Sequence, residues 1–459
     1  MLQEESLDLL KLGKNAFLTG AAGSGKTYVL NKYVEYLKRN HIQPAVTAST
    51  GIAATHLQGM TIHSWSGIGI KDHLDKKEMD KLASNTRIKQ HYEKSRVLII
   101  DEISMLHPHQ LDMVDAIAKT ILKNDQPFGG LQVILCGDFF QLPPVSSSQQ
   151  VVEKNFAFES AAWQNSDFHI CYLHEQHRQG NDLLLTILND IRNGTAGEHT
   201  KVPLRTRYKK EPQGGMKATK LYSRNINVDT INESELLSIT SDEKSFSMVT
   251  KGHSGLVEGL KKSCLAPEEL HLKIGAEVMF IKNDQYGDYV NGTRGVVTGF
   301  DKKSQGGWPI VKTFDGKTIT AYPEEWKFED NGKITAVLSQ VPLRLAWAIT
   351  IHKSQGMTLD TAEIDLGDAF EPGMGYVALS RVRKLDGLKL MNLNEMALRV
   401  HPKILAHDTS FRSESATTVA LLKKFSPEEL AKCHQDTLKE RFKNSVVKPK
   451  RKKRLSVSA

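Results

Sequence analysis

A glycine-rich segment directly after an apolar run is the feature that most restricts the fold of this chain. Residues 20–27 read GAAGSGKT and match the pattern G-x-x-x-x-G-K-[ST] at every fixed position. The apolar segment NAFLT precedes them at residues 15–19, and apolar residues at helical spacing follow from Tyr28 to Lys38. A strand, a glycine loop and a helix in this order are typical of a phosphate-binding loop, whose backbone N–H groups face the phosphates.

The fixed residues of this loop predict contacts with a nucleoside triphosphate. The ammonium group of Lys26 reaches the β- and γ-phosphate oxygens, and the hydroxyl of Thr27 is placed to hold Mg²⁺. The structural alternative is a glycine-rich turn that precedes a helix and binds nothing. The predicted nucleotide contacts are Gly20, Ala21, Ala22, Gly23, Ser24, Gly25, Lys26 and Thr27.

Two acidic residues end another apolar segment, LIIDEISM at residues 98–105. Asp101 is predicted to hold Mg²⁺, and Glu102 is placed to polarise the attacking water. The alternative is a buried strand that ends in surface acids, and the preceding phosphate loop argues against it. Together the two motifs predict an ATPase or a GTPase, but they do not indicate what the hydrolysis drives.

Short apolar runs that end in polar residues recur along the chain. They lie at residues 44–48, 96–100 and 132–136, with helix-like stretches such as Leu111 to Leu122 between them. Strands that alternate with helices favour parallel pairing in an α/β fold. A second series begins after Gly194. Ligands gather at the carboxyl ends of the strands in such sheets.

The region from about residue 265 to 340 has a different pattern of apolar and polar residues. Short alternating runs are separated there by Gly, Asn and Asp, which is typical of all-β structure with turns every 8–12 residues or so. We therefore expect a small barrel inserted into a second α/β domain.

Composition is that of a soluble globular protein of two to four domains, with 39% apolar and 25% charged residues in 459. No run approaches the roughly 18 apolar residues that a membrane span needs, so we expect no membrane partner. The N-terminus shows no secretory signal, and the four cysteines have no C-x-x-C spacing. These features predict a cytoplasmic protein, while a basic tail leaves a nuclear location open.

The net charge of +8 is concentrated at the C-terminus. Six of the eight excess charges lie in one segment, so the folded body is almost neutral: Lys448, Lys450, Arg451, Lys452, Lys453 and Arg454. The tail is either a tether to phosphate, a targeting signal or a solvated end.

A motor also needs groups that detect the γ-phosphate and couple its loss to a second surface. Gln141 in CGDFFQLPP is a neutral donor and acceptor suited to that contact. Arg178 in LHEQHRQ and Arg381 in VALSRVR are candidate arginine fingers that clamp the γ-phosphate across a cleft.

The ordered set of motifs resembles the Pif-one-type DNA helicases of superfamily one, relatives of the RecD subunit. The match runs from about residue 3 to 392, and DEISM followed by PFGG and CGDFFQLPP is specific to this family. The motifs are GAAGSGKT, TASTGIAATHLQGMTIHSW, LIIDEISML, PFGGLQVILCGDFFQLPPV, LHEQHRQ with IRNG, ITIHKSQGMTLD and GYVALSRVR. Gln3 matches the glutamine that reads adenine in the family.

The resemblance implies two RecA-like domains with parallel sheets, ATP in the cleft between them, and 5′-to-3′ movement on single-stranded DNA in replication, recombination or repair. It also implies an SH3-like module in the second domain. The expected boundaries are 1–195 for the first domain, with an insertion at about 66–94; 196–264 and 341–400 for the second; 265–340 for the SH3-like module; and 401–459 for a helical segment and tail.

The resemblance further implies a set of DNA contacts: Thr50, Gly51, His63, Trp65, His352, Lys353, Ser354 and Gln355. For Trp65 the alternative is an indole packed under its glycine-rich loop. Phe139 and Phe140 are candidates for base stacking or core, and we expect one of them in the core. The expected partners are single-stranded DNA and forked or tailed duplex, with G-quadruplex and RNA–DNA hybrid as further candidates, bound by a monomer.

Two other functions remain open at this stage. The chain could be a RecD-like motor subunit of a larger DNA-processing complex, inactive or weak alone. A GTPase switch is the other, although no N-K-x-D-like guanine-reading stretch is found. Beyond residue 400, SPEELAKCHQDTLKERFK predicts a helix capped by Ser426, which either covers the second domain or binds a partner.

Overall fold

The protein is described by a computed structural model that covers Met1 to Phe442 with short gaps. Residues outside the description are 58, 70, 72, 145–155, 176–182, 213–217, 224, 253, 265, 283, 285–287, 290–292, 303–305, 331–332, 357–358 and 443–459. Arg178 and the basic tail therefore lie outside the described residues.

A parallel sheet of six strands forms the centre of the first unit, in the order β3-β2-β4-β5-β1-β6. The four apolar runs of this unit that were predicted as strands form strands in the structure, and each is followed by polar residues at the same edge of the sheet. The strands are β1 Ala16–Gly20, β2 Pro44–Ala48, β3 Met60–Thr61, β4 Val97–Asp101, β5 Gln132–Cys136 and β6 His169–Leu173.

Helices cover both faces of this sheet. The predicted helix after the glycine loop runs from Lys26 to Arg39 and buries one apolar face. The region predicted as an insertion at 66–94 holds two helices that pack against the helix Pro108–Leu122. The helices are α1 Gln3–Lys11, α2 Lys26–Arg39, α3 Gly51–His56, α4 Ile62–Ser66, α5 Lys76–Ser84, α6 Thr86–Lys94, α7 Pro108–Leu122, α8 Ala161–Gln164, α9 Leu183–Arg192 and α10 Glu198–Arg205.

The chain then enters a second unit through β7 Thr219–Tyr222 and α11 Asn225–Ser238 and passes into antiparallel strands. These strands form sheets of two, five and three strands, with β7 outside them. They are β8 Glu243–Ser247, β9 Val249–Gly252, β10 Glu269–Lys273, β11 Glu277–Phe280, β12 Arg294–Phe300, β13 Pro309–Thr313, β14 Thr318–Thr320, β15 Glu324–Asp330, β16 Lys333–Gln340 and β17 Leu343–Leu345, with α12 Ser254–Ser263 between β9 and β10.

The antiparallel region thus begins before residue 265, the expected start. β8 pairs with β10 and β9 pairs with β16, so residues from Glu243 onward are hydrogen-bonded to strands of the all-β region. The pattern of apolar and polar residues did not predict these two strands, because they are short and mostly exposed. The SH3-like assignment of this module stays a prediction.

A second parallel sheet has the order β18-β7-β19-β20, with β18 Ala348–Thr350, β19 Ala362–Leu366 and β20 Leu388–Leu393. The helix α13 Met374–Ser380 lies between β19 and β20 in the chain and is buried along its whole length. Two parallel sheets, one in each unit, confirm the expected α/β class.

The C-terminal helices return to the first unit. α14 Pro402–Leu422 packs on β6, and α15 Pro427–Glu440 begins at Ser426, whose capping box confirms the predicted helix. His434 of α15 bonds the carbonyl of Asp8 at 3.1 Å, so α15 covers α1 and not the second unit as one expectation had it. None of the helices in the described ranges is long and apolar enough to cross a membrane.

Aromatic rings form a dense part of the core beneath the first sheet. Phe139 is 3% exposed, and its ring centroid lies 5.2 Å from Phe17, 5.1 Å from Phe158 and 6.3 Å from Phe411 of α14. Phe140 is equally buried. Both phenylalanines of CGDFFQLPP therefore belong to the interior, which confirms the core assignment for one and extends it to the other.

We expect Phe139→Ala to lower the free energy of unfolding by about 3–5 kcal/mol, because it removes a ring from a packed interior and leaves a cavity. Urea unfolding followed by tryptophan fluorescence measures this change. Phe425→Ala is the control, since that ring is 41% exposed and its loss should change stability by less than about 0.5 kcal/mol. Full stability of Phe139→Ala combined with weakened DNA binding would instead support a base-stacking role.

Candidate active site

The glycine loop lies between β1 and α2, as predicted. Gly20, Gly23 and Gly25 have φ angles of +148°, +83° and +88°, which side-chain-bearing residues rarely adopt. Lys26 Nζ donates to the carbonyl oxygens of Gly20 at 2.8 Å and of Ala21 at 3.1 Å, so its charge is held over the loop. The hydroxyl of Ser24 is buried and has no hydrogen-bond partner among the described residues. The loop has the geometry of a phosphate site.

Gln3 lies against this loop. Its side-chain amide donates to the carbonyl of Ser24 at 3.1 Å, and a Cβ on Gly25 would overlap it. The backbone N–H of Gln3 donates to Glu175. The first turn of α1 is thereby placed beside the phosphate loop, which is consistent with a nucleotide contact. The adenine-reading role itself stays a prediction.

Asp101 and Glu102 follow β4 at the same edge. Glu102 has a φ of +53°, and its N–H donates to Asp101 Oδ1 at 2.9 Å. Burial and the neighbouring Asp101 raise the pKa of Glu102 to about 7, against the opposing effects of Gln355, Lys26 and Arg381. A carboxylate with a raised pKa is a suitable proton acceptor for water. The structure therefore brings Glu102 close to the predicted lysine.

Gln355 connects the two units at this edge. Its Nε2 donates to Glu102 Oε2 at 2.9 Å and to Gln141 Oε1 at 3.1 Å. Gln141 and Gln355 are both 7% exposed, so the bridge is shielded from water. The predicted γ-phosphate sensor and the predicted water-activating acid thus share one amide from the second unit. The amide of Gln355 thus faces Glu102 and Gln141, while its predicted contact with DNA stays a prediction.

Arg381 directly follows α13 on the same side. Its guanidinium donates to Val377 O at 2.9 Å, to Ser380 Oγ at 2.6 Å and to Ser354 O at 3.4 Å. Arg381 is 5% exposed and close enough to Glu102 to lower its pKa. The structure brings this predicted finger to the cleft.

Asp138 forms a buried ion pair next to these groups. Arg192 Nη1 lies 2.6 Å from both carboxylate oxygens of Asp138, which has no exposed surface. Arg192 also lies 4.2 Å above the ring of Phe140 and donates to the Tyr172 hydroxyl at 3.0 Å. The Tyr172 hydroxyl in turn donates to Asp408 of α14 at 2.8 Å.

The residues predicted to contact DNA lie in different surroundings, and their DNA contacts stay predictions. Thr50 bonds the N–H of Ala53 through its hydroxyl at 3.3 Å, next to Gly51 at the start of α3. His63 is partly buried beside Gln110 and His107, and burial lowers its pKa. His352 is partly exposed, and the side chain of Lys353 is outside the description. Ser354 is fully buried and bonds the carbonyl of Ile351, so its side chain is structural.

Trp65 is 4% exposed and packs inside the first unit. Its ring lies 4.4 Å from Tyr92 and stacks on His91 at 6.2 Å. The hydrophobic area of an indole favours such burial. The burial of the indole agrees with the alternative that it packs under its loop, and the predicted contact of Trp65 with DNA stays a prediction.

Comparison with known proteins identifies the family. A model described as PIF1-like helicase matches residues 5–198, and one described as DNA helicase Pif1, 2B domain, matches residues 255–300. The ATP-dependent DNA helicase Pif1 of Psychrobacter sp. (strain PRwf-1) is 44% identical over 492 aligned positions, which cover 95% of this chain and 74% of that protein. The chain belongs to the PIF1-like helicase family. It spans 66% of the length of the Xenopus laevis relative.

Solved structures of PIF1-like helicases have the same fold. The Candida albicans Pif1 helicase aligns with a TM-score of 0.77 and 36% identity, over 89% of this chain and 98% of that one. The Bacteroides Pif1 helicase in complex with ADP-AlF3 and single-stranded DNA aligns with a TM-score of 0.67 and 30% identity, over 90% and 97%. These matches confirm the expected RecA-like architecture.

Mg²⁺ fits the residues predicted to hold it in this PIF1-like site. Thr27 lies in the first turn of α2 and Asp101 ends β4, and their hydroxyl and carboxylate are hard oxygen donors of the kind this ion prefers. Within the described ranges, no group of three or more His, Cys, Asp or Glu could hold a metal. The remaining ligands would come from the phosphates and water.

Sequence did not predict the contacts that Arg192 and the Tyr376 hydroxyl make with Asp138 in this PIF1-like fold. Both lie in motifs already noted, IRNG and GYVALSRVR, but no function was assigned to either. One signal was available in the sequence. Asp138 closely follows the apolar strand β5, and an acid that is buried there requires a cationic partner. Sequence alone did not indicate that Asp138 is buried.

We expect Gln355→Ala and Gln141→Ala each to lower the kcat of DNA-stimulated ATP hydrolysis, and their effects to be non-additive because the two amides touch. The coupling energy in a double-mutant cycle should be about 0.5–3 kcal/mol. Pairing Gln141→Ala with Gln90→Ala, which removes a side chain bonded to Lys94 away from the site, should give additive effects. Additivity of the first pair would contradict the bridge.

Proposed function

We propose that this chain is an ATP-dependent DNA helicase that moves 5′-to-3′ along single-stranded DNA. The observation that carries the proposal is the Gln355 bridge, because it joins the predicted sensor and the predicted water-activating acid of the first unit to the second unit. A contact of this kind allows the state of the nucleotide to alter the relation between the two units. The named activity of the relatives supports the same function.

The proposed hydrolysis uses groups at the strand ends. Lys26 and the loop amides hold the phosphates, and Gln141 contacts the γ-phosphate. Glu102 accepts a proton from the attacking water, which Gln355 helps to orient through its bond to the same carboxylate. Arg381 stabilises the charge that develops on the γ-phosphate, and Arg178 is proposed for the same role. Mg²⁺, when bound through Thr27 and Asp101, neutralises phosphate charge.

The proposed substrates are single-stranded DNA and tailed or forked duplex. A near-neutral body suits a strand held by backbone donors and a few cations. The Bacteroides relative was solved with single-stranded DNA, which supports this substrate class. G-quadruplexes, RNA–DNA hybrids and action as a monomer remain further predictions of the same proposal.

We expect Lys26→Ala to abolish ATP hydrolysis and unwinding while single-strand binding persists, because Lys26 bonds only the phosphate loop among the described residues. Fluorescence anisotropy of a labelled oligonucleotide and a phosphate-release assay measure the two properties. Lys32→Ala, an exposed lysine on the same helix, is the control and should keep both. Loss of DNA binding in a folded Lys26→Ala protein would count against the assignment.

Polarity is tested with duplexes that carry a 5′ or a 3′ single-stranded tail of identical sequence. The purified chain should unwind the 5′-tailed duplex with ATP and neither duplex with a non-hydrolysable analogue. Unwinding from the 3′ tail alone would overturn the direction. Translocation by the chain in isolation would also exclude the alternative of a RecD-like subunit that is inactive alone.

A further inference from the structure

Tyr376 of the second unit touches the phosphate loop of the first. The side chain is completely buried in α13. The backbone N–H of Ala22 donates to its hydroxyl at 3.1 Å, and the hydroxyl donates to Asp138 Oδ2 at 3.2 Å. Arg192 Nη1 also donates to the hydroxyl oxygen of Tyr376, at 3.4 Å. A phenol has one hydrogen and two lone pairs, so these three contacts use its whole hydrogen-bonding capacity.

The partners of Tyr376 are themselves held firmly. Asp138 accepts from Arg192 and from the N–H of Phe140, which lies 3.2 Å from Oδ1. Burial opposes the charge on Arg192, but Asp138 and the two tyrosines outweigh it and raise the pKa of the guanidinium. Burial and Asp138 likewise raise the pKa of Tyr376, which keeps its hydroxyl protonated as a donor. The hydroxyl is therefore fixed against a charged and rigid surface.

The helix that carries Tyr376 also carries Arg381 and abuts Gln141. Gly373, just before α13, has a φ of +87°, and a Cβ there would lie 2.7 Å from the carbonyl oxygen of Gln141. At the other end of α13, the Arg381 guanidinium is bonded to Val377 and Ser380 of the same helix. Because Arg381 is tied to α13, the placement of α13 decides the placement of Arg381.

We propose that Tyr376 is a positioning residue for ATP hydrolysis. Its hydroxyl, held between the Ala22 N–H of the phosphate loop and the carboxylate of Asp138, sets the position of α13 and thereby of Arg381 against the nucleotide phosphates. The proposal rests on the proposed ATPase activity. Tyr376 does not touch the reacting atoms; it holds the second unit in a fixed position against the first.

Tyr376→Phe tests this role, because it keeps the ring and removes only the hydroxyl. The kcat of DNA-stimulated ATP hydrolysis should fall about 10- to 100-fold, since a small displacement of a catalytic group has effects of this size. The KM for ATP and the Kd for single-stranded DNA should change less than threefold. An unchanged kcat would overturn the proposal.

Tyr33→Phe is the matched control. Tyr33 is also fully buried, and its hydroxyl donates to Gln132 at 2.7 Å, among the residues of α2 and β5 away from the phosphate edge. Loss of that hydroxyl should lower thermal stability in a similar way and leave kcat within twofold of the wild type. A comparable fall in kcat for Tyr33→Phe would mean that any buried defect slows the enzyme, which would contradict a positioning role for Tyr376.

A double-mutant cycle with Arg381 separates positioning from structural support. In the Arg381→Ala background, Tyr376→Phe should change kcat less than twofold, because the group it positions is gone. A further tenfold fall in that background would overturn the proposal. 3-Fluorotyrosine at position 376 keeps a hydroxyl that accepts from the Ala22 N–H and donates to Asp138, so kcat should stay within threefold of the wild type. It also serves if Tyr376→Phe does not fold, and a folded 3-fluorotyrosine protein with a tenfold lower kcat would overturn the proposal.

The same assays distinguish this proposal from the function on which it rests. ATP hydrolysis by the wild type is measured first, with and without single-stranded DNA. No hydrolysis would contradict the proposed function together with the role of Tyr376. Normal hydrolysis by both the wild type and Tyr376→Phe would contradict only the role of Tyr376.

Discussion

The buried pair of Asp138 and Arg192 is the interaction on which the cleft depends. Both groups are almost fully removed from water, and loss of either would leave an unpaired charge at a cost of about 3–5 kcal/mol. Such a pair tolerates little displacement, because the carboxylate needs its donors at hydrogen-bond distance. Around it meet the end of β5, the helix α9, the tyrosine of α13 and, through Tyr172, the helix α14. The nucleotide edge is assembled on this fixed centre.

The groups proposed to act on the nucleotide come from separate elements. The lysine begins α2, the two acids end β4, the sensor follows β5, and the bridging amide and the arginine belong to the second unit. Each is on or next to a regular element, which limits the freedom of its side chain. Coupling between the units therefore uses short, direct hydrogen bonds, and no long chain of intermediate residues is needed to explain it.

Local features were predictable from sequence, and distant pairings were not. The glycine loop, the acids after β4 and the strands of the first sheet follow from apolar runs and fixed spacings within a few residues. The contact between Asp138 and Tyr376 joins residues that are 238 positions apart in the sequence, and no local sequence pattern predicts it. For Trp65 the sequence left a DNA contact and packing under its loop both open, because the burial of the indole depends on Tyr92 and His91 of α6. Gln355 was placed by motif on the DNA side, although its amide turns toward Glu102.

The return of α14 and α15 to the first unit has a mechanical consequence. The amino group of Met1 bonds the carbonyl of Tyr172 in β6, and Arg441 bonds the carbonyl of Gly13, so both described ends of the chain are anchored on the same unit. The second unit is thus a loop of chain that leaves and re-enters its neighbour. A force applied between these two ends would be carried by β6, α1 and α15, while the second unit lies outside that path.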